Sequence, residues 1–162
     1  MYTLEAILAR YTTLEGAMGD LSSVKLIRLP QGIGMIPIVG AVLQELELRY
    51  QDGTKVTDPD IQQFSQSVHP DFERLIVGVE KLAQQLSLHG TIAYVEATFS
   101  EGIGGHATMI WENGQRIGQP GSDINIVLQS LGVVPSPGLD EFYTIGLGRH
   151  RTTKQWLAES AG

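Results

Sequence analysis

The sequence predicts an α+β fold, a mainly antiparallel sheet with helices packed on one face, and three stretches carry that prediction. Residues 91–99 alternate, with Ala93, Val95, Ala97 and Phe99 on one side and Ile92, Tyr94, Glu96 and Thr98 on the other, the two-residue period of a strand. The same period returns over 107–112, and Asn113-Gly114, a pair at ease with positive φ, closes a type I′ hairpin with 115–117. Upstream, Phe72, Leu75, Ile76, Val79, Leu82, Ala83 and Leu86 recur at helical spacing over 70–88 and Gly90 supplies a stop. A sheet built from hairpins keeps one face for such a helix.

The remaining elements follow in chain order. Leu4, Ile7, Leu8, Tyr11, Leu14 and Met18 fit an amphipathic helix over 3–18. Residues 24–29 alternate as a strand until Pro30 ends them, and 35–39 read as a second strand that Pro37 confines to an edge or a bulge. Over 43–50 the apolar positions fit either helix or strand; Asp52-Gly53, a hairpin signal, decides for a strand with a short return over 54–56. Asp58-Pro59 opens a short helix to about 65. After the hairpin, Asp123 caps a helix whose apolar face is Ile124, Val127, Leu128 and Leu131, Gly132 stops it, and a last helix runs over 154–159 behind Thr152 or Thr153.

Composition narrows the class. A chain of 162 residues suits one domain, 1–162. The longest weakly polar run, 32–43, contains Pro37 and is too short to span a bilayer, and Glu5 and Arg10 break the apolar start that a signal peptide needs. There is no cysteine, which excludes disulfides and thiolate chemistry and suits a cytoplasmic location. The histidines His69, His89, His106 and His150 stand too far apart for a metal pair, so no metal is expected. A formal net charge of −7 argues against nucleic acid as a partner; it suits a basic partner, and solubility explains it equally well.

Two places could hold a ligand. Between the first two predicted strands, Ser100-Glu101-Gly102-Ile103-Gly104-Gly105-His106 reads as a wide or bulged connection; a phosphate loop would need a helix directly after its glycines, and a strand follows. The other is Arg149-His150-Arg151 with Lys154, a local cationic cluster before a helix, suited either to an anion or to pairing with the nearby Asp140 and Glu141. Gly104, Gly105, His106, Arg149, His150 and Arg151 are therefore the candidate ligand-binding residues. Gly32, Gly34 and Gly40 lack the spacing of a dinucleotide fingerprint, and no cofactor is expected. Carboxylates stand at Glu96, Glu101, Asp123, Asp140 and Glu141, but the sequence does not show which converge.

Gly104-Gly105, Ala107, Trp111, Asn113-Gly114, the 126–133 stretch, Asp140-Glu141-Phe142, the run Gly146 to Arg151 and Trp156 together resemble a group of small uncharacterised bacterial proteins. The group shares a Gly-Gly loop, a strand with Trp and a terminal Gly-Leu-Gly-Arg-His-Arg run, and the resemblance covers roughly the last 60 residues. It implies no activity, cofactor or catalytic residue.

No nucleophile with a base, carboxylate pair or metal constellation announces an enzyme, so the reading leans away from catalysis. The expectation is a non-enzymatic cytoplasmic binding protein that acts on another protein through its acidic surface, as an immunity-type inhibitor or adaptor does. The alternative is a protein, catalytic or not, that handles a small anionic ligand or phosphate with the Gly102 to His106 loop and Arg149/Arg151.

Overall fold

A computed structural model describes residues 1–50 and 67–161. The strands are β1 (Tyr2–Arg10), β2 (Ile27–Leu29), β3 (Ile33–Pro37), β4 (Ile92–Ser100), β5 (Ile103–Glu112) and β6 (Gln115–Gly121). The helices are α1 (Tyr11–Leu14), α2 (Gly40–Arg49), α3 (Val77–Leu86), α4 (Ile124–Ser130) and α5 (Glu141–Thr144), with 3-10 segments at Pro30–Gly32, Leu147–Arg149 and Thr153–Ala161. All six strands join one antiparallel sheet in the order β2-β3-β1-β4-β5-β6. The α+β class and the antiparallel sheet are as the sequence predicts.

β1 is the central strand and corrects the expected 3–18 helix. Leu4, Ala6 and Leu8 face one core with Ala93, Val95 and Ala97, while Ile7 and Ala9 face the other with Ile92 and Tyr94. A strand buried on both faces shows no polar alternation, so its apolar positions match a helical stripe by coincidence. Two cores also mean two helical layers: α2 and α3 cover one face, and α4, α5 and the C-terminal 3-10 segment cover the other, where one covered face was expected.

The stretch over 43–50 is likewise helix and not strand, for it forms most of α2. Val42, Leu43 and Leu46 pack inward, whereas Leu48, which completed the strand-like alternation, is 67% exposed. α2 lies against α3 so closely that a Cβ on Gly78 would stand 2.8 Å from Leu46 Cβ. The expected return at 54–56 and the helix at 58–65 lie outside the described residues. α3 is shorter than the 70–88 expected, but Phe72, Leu75 and Ile76 are buried in the same core ahead of it.

β3 sits inside the sheet between β2 and β1 and is not an edge strand. Its Pro37 is tolerated because β2 pairs only with residues 33–35, leaving the missing N–H without a neighbour on that side. The β4-β5-β6 hairpins follow the sequence reading closely. Asn113 (φ 52°) and Gly114 (φ 83°) form the second turn, with Ile110, Trp111 and Glu112 opposite Ile117, Arg116 and Gln115. The first turn is tighter than the wide connection expected. Glu101 (φ 53°) and Gly102 (φ 77°) form it alone, and Gly104, Gly105 and His106 already belong to β5, opposite Phe99, Thr98 and Ala97.

Candidate functional site: an acidic cavity over the central strands

The pairing of β1 with β4 sets Glu5 directly opposite Glu96, and β5 continues the row with Ala107. Like charges at directly opposed positions of neighbouring strands oppose pairing. The next row toward the hairpin end is Thr3, Thr98 and Gly105. Because Gly105 and Ala107 have little or no side chain, the sheet is open there, and a cavity of about 200 Å³ lies over Glu5, Glu96, Thr98, Gly105, His106 and Ala107. Asp71 and Glu73, from the segment ahead of α3, complete its wall.

Glu96 anchors that wall. Its carboxylate accepts the backbone N–H groups of Glu73 and Arg74, each at 2.8 Å, and the Tyr94 hydroxyl at 2.7 Å. Tyr94 is fully buried, and its burial, reinforced by Glu96, pushes the phenol well above its ordinary range, so it remains a donor. The wall segment is itself braced by Val68 N–H donating to the Leu75 carbonyl and by Asp71 N–H donating to His69 Nδ1 at 3.1 Å.

Glu5 is different. Its backbone is occupied, with the N–H donating to Thr153 Oγ1 and the carbonyl accepting from Ile38, yet its half-buried carboxylate makes no hydrogen bond or ion pair among the described residues. Burial, chiefly, raises the Glu5 pKa; Arg74 opposes the rise and Glu96 and Glu73 add to it. The ionised form of Glu5 therefore costs the fold at neutral pH. No group of three or more His, Asp and Glu among the described residues is placed to hold a metal ion.

The residues singled out from sequence lie elsewhere, apart from Gly105 and His106. Gly104 and Gly105 are strand residues. The His106 ring serves the opposite layer: its Nδ1 accepts the Ile124 N–H at 3.0 Å at the start of α4, and it stacks on Phe142 with ring centroids 6.4 Å apart. Burial lowers the His106 pKa against the pull of Asp123 and Asp140. Arg149 and His150 both pair with Glu159, and both lie against the buried Trp156, the guanidinium 5.1 Å from the ring centroid and the imidazole edge-on at 4.6 Å. Their partner is not the Asp140 or Glu141 that sequence proximity suggested. Asp140 caps α5 by accepting the Tyr143 N–H, and Glu141 accepts from Gln129 Nε2. Arg151 contributes backbone, its carbonyl accepting the Thr3 N–H and its N–H donating to Gln155.

Comparison with protein-family models, curated proteins and solved structures finds no match to this chain. Among the described residues, no helix is long and apolar enough to cross a membrane.

Proposed function

We propose that this is a non-enzymatic binding protein that engages a basic protein partner, receiving a lysine or arginine side chain in the acidic cavity over Glu5 and Glu96. The observation that carries the reading is the opposed, solvent-reaching pair Glu5 and Glu96 walled by Asp71 and Glu73, with Arg74 as the neighbouring cation. Folding accounts for Glu96, which braces the wall, but not for Glu5: its unpaired, half-buried carboxylate weakens the fold, whereas an incoming ammonium or guanidinium offsets that cost with charge-assisted hydrogen bonds. The net charge of −7 adds long-range attraction for the same kind of partner. A cytoplasmic setting suits a chain without cysteine. The anionic-ligand alternative finds less support, since Arg149 and His150 are already committed to Glu159 and Trp156.

The test is an NMR titration of labelled protein with a short lysine- and arginine-containing peptide. Shift changes concentrated at Glu5, Asp71, Glu96, Thr98 and Gly105 support the reading. Changes spread over the acidic surface, vanishing together at moderate salt, contradict it, because a dispersed field is screened within about 10 Å at 0.1 M salt.

A further inference from the structure

We infer that Glu5 and Glu96 form an unequal carboxylate pair in which Glu5 takes up a proton on mild acidification, discharging the cavity and releasing its cationic guest. The inference rests on the binding reading above for the guest, and on geometry for the proton. Both oxygens of Glu96 already accept donors, from the wall backbone and from Tyr94, and a proton there would compete with those contacts. Glu5 faces the same space with a carboxylate that accepts nothing among the described residues. The charged and titratable groups around it come from each neighbouring element: Glu96 and Tyr94 on β4, Asp71, Glu73 and Arg74 on the wall, and His106 on β5 at the cavity margin. The half-burial of Glu5 on the strand face chiefly disfavours its charge; the Arg74 guanidinium opposes this and the carboxylates of Glu96 and Glu73 add to it, so the protonated form of Glu5 is the one the surroundings favour. This agrees with the upward direction of its pKa.

The consequence is directional. As pH falls from neutrality toward the ordinary glutamate range, Glu5 takes up its proton, the cavity loses that negative charge, and the hold on an ammonium or guanidinium weakens. Above that window Glu5 carries its charge and binding is tight.

Carbon-detected NMR of the carboxyl groups decides the matter, first without ligand and then with the lysine- and arginine-containing peptide. Expected are a Glu5 titration displaced above the ordinary glutamate value, a downward displacement of that titration in Glu73→Gln, and a several-fold loss of peptide affinity on crossing it in wild type but not in Glu5→Gln. Glu73 is exposed and its side chain supports no described contact, so this variant keeps the fold where Glu96→Gln endangers it. A Glu5 carboxyl that titrates at or below the ordinary value overturns the proton switch whether or not peptide binds. Affinity that is unchanged across a raised Glu5 titration overturns it as well. A raised Glu5 titration with no peptide bound at any pH supports the proton-accepting pair and removes the binding reading instead.

Discussion

A Cβ placed on Gly104 would fall 1.8 Å from the carbonyl oxygen of Thr98, on a backbone with φ of 152°. Its neighbour Gly105 has open space around the same position. The first glycine thus permits the tight Glu101-Gly102 hairpin, while the second keeps the cavity floor clear. Gly104→Ala should lower stability in urea unfolding by about 1–3 kcal/mol, and Gly105→Ala by no more than about 0.5 kcal/mol. Equal losses would show that the hairpin does not depend on Gly104.

His106 ties the sheet to α4 through one accepted hydrogen bond. His106→Phe keeps the ring contacts with Phe99 and Phe142 but removes the acceptor of the Ile124 N–H, and should cost about 1–2 kcal/mol. The folded pKa is depressed, so as pH falls from the ordinary histidine value the unfolded chain takes up the proton first. Stability should fall through that window and level off below the folded pKa; the slope should be absent in His106→Phe. Unfolding curves collected across mildly acidic pH measure both.

The Arg149 cluster is a surface brace over a buried indole. Trp156 is fully buried, and Trp156→Ala should cost about 3–5 kcal/mol. Arg149 is 48% exposed beside Glu159, and Arg149→Ala should cost at most about 1 kcal/mol. Phosphate and nucleotides should leave the wild-type melting temperature unchanged in a thermal-shift screen. A rise that Arg149→Ala abolishes would restore the anion-site alternative.

The double-sided burial of β1 makes Ala6 and Ala9 critical in a way that a helix would not, since a helical stripe through Leu4, Ile7, Leu8 and Tyr11 puts both alanines on the opposite, outward face. Each is fully buried here, and they face opposite cores. Ala6→Glu and Ala9→Glu should each destabilise by about 3 kcal/mol or more by burying an unpaired charge. Tolerance of either in circular-dichroism melts would mean that β1 is not the centre of the sheet.

These elements show what the chain discloses before folding. β4, β5 and β6 were legible because Glu96 and Thr98, and then Thr108 and Glu112, alternate with apolar neighbours and an Asn-Gly turn states the register. β1 was not, because burial on both faces erases the alternation that marks a strand. α2 was misread because Leu46, Leu48 and Tyr50 mimic a strand and only packing reveals Leu48 as outward. Glu96 was visible as a polar strand residue, but Glu5 was hidden in a supposed helix. Their meeting depends on the pairing of β1 with β4, a long-range choice made by the two cores. No local spacing encodes it. The arginine run, by contrast, was conspicuous in sequence because cations are scarce in this chain, and its role as a brace depends on Glu159 and Trp156 folding back upon it.

The account turns on Glu5 being kept for binding at the expense of the fold, and Glu5→Gln exposes both sides of that statement. Removing the charge should raise the melting temperature at neutral pH, and the gain should shrink as pH falls through the raised Glu5 pKa toward the ordinary glutamate range, where wild-type Glu5 is itself neutral. The same variant should lose most of its affinity for the lysine- and arginine-containing peptide. The decisive measurement is calorimetry of both proteins at neutral pH, by thermal unfolding and by peptide titration. A more stable variant that binds weakly is the predicted result; a less stable variant that binds the peptide as wild type does would contradict the account.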